Sequence, residues 1–185
     1  MAKIKNVIGR QVFDSRGNPT VEAEIFLDDG SSASAISPSG ASTGAFEAHE
    51  LRDKEQNKFL GKSVNTAVQN ININISNKLK NLDFNQQEKI DKILIDLDGT
   101  ENKTNLGANA TLAVSLAYAK CTAIANKQPL YKSLGKSYSL PIPLMNIING
   151  GAHADNDLNI QEFMIRPDSA ENFTDAVEKC FLVIQ

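Results

Sequence analysis

The sequence predicts an α+β protein, because strand-like and helix-like hydrophobic patterns occupy separate stretches of its 185 residues. Residues 3–37 are rich in β-formers and turn signals, and residues 63–126 carry helical periodicity. Two apolar runs of strand length, residues 141–148 and 160–165, and an amphipathic stretch over 171–185 follow. We therefore predict a three-stranded antiparallel meander packed on helices, followed by a β-β-α unit.

The meander is predicted from alternation and turn chemistry. Residues 3–14 mix β-formers, and Val21–Leu27 alternates apolar with polar residues, which indicates one buried face. Asp14–Pro19 is dense in turn residues, and Asp29-Gly30 is a hairpin signal before a third strand at residues 32–37.

Helices are predicted after the meander. The charged residues 47–53 favour one irregular helix, and Ser63–Leu82 repeats apolar residues at helical spacing. Asn85–Glu88 has the spacing of a capping box ahead of a second helix, which should stop at Asp98-Gly99. The stretch that begins at Asn105 or Asn109 and ends at Asn126 is rich in Ala and Leu, which predicts a buried helix.

The two later strands contain the best candidate site. The segment between them, residues 149–159, is too short and polar for a crossover helix, so we predict antiparallel pairing. Both runs are apolar at nearly every residue, which predicts burial on both faces. Gln161 and Glu162 lie inside the second run, where a charge needs a partner. His153 lies in the loop between the runs, after Gly150-Gly151.

Each candidate also has a plainer interpretation. His153 alone is typical of a surface loop, although neighbouring glycines let the backbone approach a ligand closely. Glu162 could form a structural ion pair with Arg166 or another partner. The loop Pro38–Gly44 lacks both the P-loop and the GxGxxG pattern. It is either a surface turn or a mobile lid whose hydroxyl and carbonyl oxygens suit Mg²⁺.

Composition argues against several classes of function. A net charge of −3, with no aromatic residues interleaved among basic ones, argues against a nucleic-acid partner. No apolar run has transmembrane length, and the first residues lack the character of a signal peptide. Cys121 and Cys180 lie in apolar contexts and are predicted to be reduced core residues. We expect a soluble cytoplasmic protein.

Composition also predicts two domains. We place the boundary at the compositional shift near Lys136–Ser139, which gives domains at residues 1–138 and 139–185. The second is expected to be truncated, because two strands and a helix that ends without a stop signal cannot close a core. We expect residues 1–135 to fold, and residues 139–185 to be poorly protected or self-associating.

Seven sequence blocks, in order along the whole chain, resemble the enolase family. They are DSRGNPTVE (Asp14–Glu22), PSGASTG (Pro38–Gly44), ELRD (Glu50–Asp53), IDLDGTENK (Ile95–Lys103), LGANATLAVSLA (Leu106–Ala117), PLMNIINGGAHADN (Pro143–Asn156) and IQEFMI (Ile160–Ile165). PSGASTG and NGG-X-HA are the most specific, and they argue against a racemase or cycloisomerase of the same superfamily.

The resemblance implies an α+β N-terminal domain, then the first β-β-α part of an incomplete enolase-type α/β (TIM-like) barrel. It implies a lyase of glycolysis, phosphopyruvate hydratase, which reversibly dehydrates 2-phosphoglycerate to phosphoenolpyruvate. Two Mg²⁺ per site would stabilise the doubly charged intermediate. It also implies a homodimer or higher homo-oligomer, with Arg10, Arg16 and Glu22 at its contacts. The implied location is the cytoplasm, and the resemblance leaves open the surface display seen for some enolases.

The resemblance also implies roles for individual residues. Ser42 matches the lid serine that ligates the second Mg²⁺, and Ala41 offers a backbone contact to substrate. His153 matches the loop histidine that closes over the phosphate and leaving-group side. Glu162 matches the acidic residue near the leaving hydroxyl, and Gln161 the neighbouring substrate contact.

The family's base lysine, proton-donor glutamate, first-Mg²⁺ carboxylates and phosphate-binding Arg-Ser pair are expected beyond Gln185. We therefore expect this chain alone to be inactive. The alternative, from another class, is a non-catalytic truncated fragment that acts at most as an interaction or dimerisation module.

Overall fold

The computed structural model describes residues 2–40, 44–83 and 86–185. The chain forms two compact units. The described residues of unit 1 are 2–40, 44–83 and 86–136, and those of unit 2 are 137–185. Unit 1 has the predicted α+β architecture, with one antiparallel sheet and helices packed on it.

The sheet of unit 1 is the predicted meander. Its strands, in the order β1-β2-β3, are β1 (Ile4–Phe13), β2 (Pro19–Leu27) and β3 (Ser32–Ile36). The alternation predicted for β2 is confirmed, because Val21, Ala23, Ile25 and Leu27 are all buried. The turn before β2 is held by Asp14, whose Oδ1 accepts hydrogen bonds from the backbone N–H groups of Arg16 and Asn18, both at 2.9 Å.

The helices of unit 1 follow the predicted order with one irregularity. They are a 3₁₀ turn (Phe59–Gly61), α1 (Asn65–Gln69), a π-helical segment (Asn70–Ile75), α2 (Ser76–Leu79), α3 (Gln87–Asp98), α4 (Ala108–Ala125) and α5 (Leu130–Leu134). The helix predicted over Ser63–Leu82 is therefore α1, the π-helical segment and α2 in succession. The capping box predicted at Asn85 lies partly outside the described residues, and the N-cap of α3 is Gln86, whose side chain makes no capping bond.

The π-helical segment covers the open edge of β1. Asn72 Oδ1 accepts from Gly9 N–H at 2.8 Å, and Asn72 Nδ2 donates to the Gly9 carbonyl at 3.1 Å. Gly9 permits this approach, because a Cβ at that position would lie 2.9 Å from Ile71 Cβ. The Asn72 amide thus occupies the backbone groups of Gly9 that a neighbouring strand would otherwise bind. This protects the edge of the sheet from pairing with another chain.

The irregular helix predicted at residues 47–53 is wrong, since this segment is loop. Arg52 donates through Nη1 to the carbonyls of Pro19 and Lys62, which lie far away in the sequence. Asp53 accepts from the N–H groups of Asn65 and Thr66, both at 2.9 Å, and so caps α1. These long-range bonds hold the segment in a non-helical path.

Helix α4 is the predicted buried helix. Its small residues Ala110, Ala113 and Ala117 are fully buried, which allows close packing on the sheet. Cys121, on the same helix, is buried and free, and burial raises the pKa of its thiol to about 11. Cys180 is also buried and free, so both cysteines are reduced core residues as predicted.

Unit 2 contains the predicted antiparallel pair. Its elements are β4 (Met145–Asn149), a 3₁₀ turn (Gly151–His153), β5 (Glu162–Ile165) and α6 (Phe173–Ile184). The prediction of burial on both faces is wrong, because Ile148, Phe163 and Met164 are 39–50% exposed. Two strands and one helix offer too little apolar surface to bury both faces. The described residues therefore contain a β-β-α unit and no closed barrel.

Among the described residues, no helix combines the length and the apolar character needed to cross a bilayer.

Asp98, at the end of α3, is a buried carboxylate that organises the loop before α4. Its Oδ2 accepts from Leu106 N–H at 2.7 Å, and its Oδ1 accepts from the N–H of Thr100 at 3.0 Å and from the Thr100 hydroxyl. Burial alone would raise the pKa of Asp98, but these hydrogen bonds outweigh it and lower the pKa.

The substitution Asp98→Asn should destabilise unit 1 by about 1–3 kcal/mol at neutral pH, because the charged acceptor is lost. A lowered pKa gives stability that is present above the unfolded-state value, about 3.9, and is lost as the pH falls through the folded-state value. The difference from wild type should therefore shrink below about pH 4, as measured by urea unfolding at several pH values. Asp96→Asn, in an exposed pair with Lys92, should cost less than about 1 kcal/mol throughout. A pH-independent cost for Asp98→Asn would contradict this account.

The two units should differ in protection against amide hydrogen exchange. We expect amides in β2 and α4 to exchange about 100-fold or more slowly than those in β4 and β5, because the exposed pair has few buried contacts. The measurement is hydrogen exchange on the 185-residue chain at two protein concentrations, which also detects self-association. Equally slow exchange in both units at the lower concentration would refute the expectation.

Candidate functional site

The loop after β4 crosses the chain that leads into β5. Gly150 N–H donates to the Gln161 carbonyl at 3.0 Å, and Gly151 N–H donates to the Leu158 carbonyl at 2.7 Å. A Cβ on Gly150 would lie 2.5 Å from the Ile160 carbonyl oxygen, and Gly151 has φ +53°. The close approach that these glycines permit is therefore to the chain itself, and it fixes where the next residues lie.

This crossing brings three predicted site residues together. His153 Nδ1 lies 2.8 Å from Glu162 Oε1, and His153 Nε2 lies 2.6 Å from Gln161 Nε2. The side chains of His153 and Glu162 are 25% and 31% exposed, so the group is partly shielded but reachable from solvent. Arg166 pairs instead with Asp168 at 2.8 Å. The partner of Glu162 is thus the loop histidine and not Arg166. We call His153, Gln161 and Glu162 the histidine triad.

The geometry of the triad is compatible with two arrangements of the hydrogen atoms on the His153 ring. With the Gln161 amide donating to His153 Nε2, the imidazole is neutral and its Nδ1–H donates to Glu162. A rotation of the amide by 180° would present its oxygen to an Nε2–H, and the same geometry would then hold an imidazolium. A histidine held between a carboxylate and an adaptable amide can donate to an anionic group or carry a proton.

Hydrogen bonds from asparagine side chains stabilise this loop, and the sequence did not lead us to predict them. Asn156 Nδ2 donates to the Asn149 carbonyl at 3.0 Å, and Leu158 N–H donates to Asn156 Oδ1 at 3.0 Å. The side chains of Asn146 and Asn149 also form a hydrogen bond. The recurrence of asparagine around the Gly-Gly pair was the available signal, since asparagine readily bonds to nearby backbone.

Of the loop predicted to be a lid, the structure describes residues 38–40 and Gly44. Ala41 and Ser42 lie outside the described residues. Before them, Arg16 Nη2 donates to the Ser39 carbonyl at 2.9 Å and to the Gly40 carbonyl at 3.4 Å. Arg16 therefore anchors the base of this loop, 23 residues away, as well as its own turn.

The other residues expected from the family resemblance are paired within the sheet. Arg10 lies 2.7 Å from Glu24 and 3.2 Å from Glu22, and its hydrogen bond to Glu24 contributes most to raising its pKa. Within the part of the chain that the structure describes, no group of three or more His, Cys, Asp or Glu side chains is placed to hold a metal ion.

Comparisons with known proteins point to one family. The family model described as "Enolase, N-terminal domain" matches residues 4–134, and that described as "Enolase, C-terminal TIM barrel domain" matches residues 137–184. The enolase of Pelagibacter ubique (strain HTCC1062) is 59% identical over 186 residues, which cover 100% of this chain and 44% of that protein. The chain thus spans less than half the length of this curated relative.

Gly150→Ala should break the histidine triad, because the added Cβ would collide with the backbone of Ile160. In NMR spectra, contacts between the His153 ring protons and the Glu162 side chain should disappear. The chain has only two histidines, so the ring signals can be assigned. Ala152→Ser, an exposed change in the same loop, should keep the contacts. Their survival in Gly150→Ala would show that the crossing does not position the triad.

Proposed function

The chain belongs to the enolase family, and from this premise we propose that the protein serves the reversible, Mg²⁺-dependent dehydration of 2-phosphoglycerate to phosphoenolpyruvate. This is a lyase reaction of glycolysis. The observation that carries the proposal within the chain is the histidine triad, in which His153, Gln161 and Glu162 lie within hydrogen-bonding distance.

The triad supplies groups that such a reaction needs. The substrate carries a phosphate and loses a hydroxyl, so its site requires donors to anionic oxygens and a route for protons. We assign His153 to the phosphate and leaving-group side. There its ring offers a polar contact both as a neutral imidazole and as an imidazolium. Glu162 orients the imidazole through Nδ1 and lies near the departing hydroxyl, and Gln161 contacts both His153 and substrate.

The two Mg²⁺ ions of the family are not accounted for by the described residues, which contain no suitable ligand cluster. Ser42 is the proposed ligand of the second ion and Ala41 the proposed backbone contact to substrate. Both residues lie outside the part of the chain that the structure describes.

Family membership supports the remaining assignments. We propose that the longer protein forms a homodimer or higher homo-oligomer, with Arg10, Arg16 and Glu22 near its contacts, and that it acts in the cytoplasm. We also propose the domain division at residues 1–138 and 139–185. The division of the chain into units near residue 136 supports this proposal.

A second candidate is a non-catalytic interaction module consisting of this chain alone. The specific observation in its favour is the absence of a metal-ligand cluster among residues 2–40, 44–83 and 86–185, together with the exposed apolar side chains of unit 2. We therefore expect the isolated 185-residue chain to show no turnover of 2-phosphoglycerate.

A chimaera tests the proposed function and the triad together. Residues 1–185 would replace the corresponding segment of the Pelagibacter ubique enolase, which they match at 59% identity. We expect Mg²⁺-dependent formation of phosphoenolpyruvate, and we expect His153→Asn to lower kcat/KM by about 10²–10³-fold. The measurement is the absorbance of phosphoenolpyruvate over time.

The matched control is Asp168→Asn, which removes an exposed ion pair outside the triad and should leave kcat/KM unchanged. An inactive chimaera that is folded by circular dichroism would count against the function. A fully active His153→Asn chimaera would count against the triad alone. Turnover by the isolated 185-residue chain would refute its predicted inactivity.

A further inference from the structure

A cleft in unit 1 is large enough for a small molecule. It lies between α3, the first turns of α4 and the loop segments around residues 37–40 and 47–50, and its volume is about 530 Å³. Small-molecule sites in proteins span roughly 300–1,000 Å³. All of its lining residues belong to the described part of unit 1.

The floor of the cleft is apolar and open to solvent. Leu94 of α3 is buried beneath it, while Ile95 and Leu112 line it at 46% and 41% exposure. Ala48 and Ala108 add further apolar surface. When an apolar body covers a concave apolar surface that is in contact with water, the free energy of the system falls.

The rim carries three carboxylates and one ammonium, and two of these four groups, Glu50 and Lys103, are held by nearby groups of the protein. Glu50 lies 2.7 Å from the Arg52 guanidinium, which neutralises it. Lys103 Nζ donates to the carbonyls of Thr100 and Glu101, at 3.4 and 3.1 Å. Its ammonium is therefore held toward its own loop.

The other two rim carboxylates have only neutral donors. Glu47 Oε2 accepts from Gly44 N–H at 2.8 Å. Asp91 Oδ1 accepts from the Ser115 hydroxyl at 2.7 Å and from the Gln87 amide at 3.0 Å. Among the described residues, neither carboxylate forms a salt bridge. The cleft therefore combines an apolar floor with two carboxylates that have no salt-bridge partner among the described residues. Its net charge stays negative when the ammonium of Lys103 and the Arg52 partner of Glu50 are counted.

We propose that this cleft binds a small organic cation, a primary ammonium carried on an aliphatic or aromatic body. The ammonium would be attracted by the negative charge of Glu47 and Asp91, and the body would cover Ile95 and Leu112. An anion of the same shape would be repelled by both carboxylates. A neutral molecule would shield them from water without offering them a partner. This binding is independent of the dehydration proposed above.

The test is an NMR titration of the 185-residue chain with phenethylamine hydrochloride. We expect saturable shifts of the amide signals of Ile95, Leu112 and Ser115, with a dissociation constant of about 1–10 mM, typical of so small a ligand. 3-Phenylpropanoate, which carries a carboxylate on the same body, should give no saturable shift at these residues.

Single substitutions test which carboxylate contributes to the binding of phenethylamine. Glu47→Gln and Asp91→Asn keep a side-chain oxygen as acceptor, and each should weaken phenethylamine binding about 3- to 10-fold. Glu101→Gln removes a carboxylate that does not line the cleft, and it should bind like wild type. Should Asp91→Asn lose its dispersed spectrum, Glu47→Gln, on a loop, decides the question.

Three results would overturn the proposal. They are no saturation at the cleft residues up to about 50 mM phenethylamine, equal binding of 3-phenylpropanoate, and undiminished affinity in folded Glu47→Gln protein. Shifts confined to residues 137–185 count as the first of these, because they would report adsorption to the exposed apolar side chains of unit 2.

Discussion

The alternating strand β2 is the constraint on which unit 1 depends. Every second residue of this strand is apolar and buried, namely Val21, Ala23, Ile25 and Leu27, so one face of the sheet must be covered. Helix α4 must then supply a surface that fits this face. A register shift by one residue would turn Glu22 and Glu24 into that core. The same alternation places these acids beside Arg10 on the opposite face, where solvent reduces the cost of charge.

Local patterns predicted what depends on near neighbours along the chain. The β2 face, the Asp14 turn, the end of α3 at Gly99 and the antiparallel pairing of β4 with β5 all follow from turn chemistry, periodicity or loop length. His153 and Glu162 were identified as candidates for similar reasons. Their pairing follows from the Gly150 crossing, a backbone contact that no sequence pattern specifies.

Two features explain what the sequence did not predict. They are hydrogen bonds between residues that are distant in the sequence, and the exposure of strands β4 and β5. The helix expected at residues 47–53 is absent because Arg52 and Asp53 bond to Lys62 and the start of α1, partners that no local pattern names. The π-helical segment similarly depends on Asn72 meeting Gly9, 63 residues away. Apolar runs in β4 and β5 predicted burial, yet burial requires covering elements, and sequence pattern within a strand does not specify them.

The histidine triad and the core of unit 1 are therefore assembled by different means. The triad needs only residues 149–162, because a backbone crossing and nearby asparagines hold it without a large core. It can form while the surrounding apolar faces of unit 2 remain exposed. If the proposed function is correct, the groups that contact substrate in this part of the chain are positioned by a short, locally determined loop.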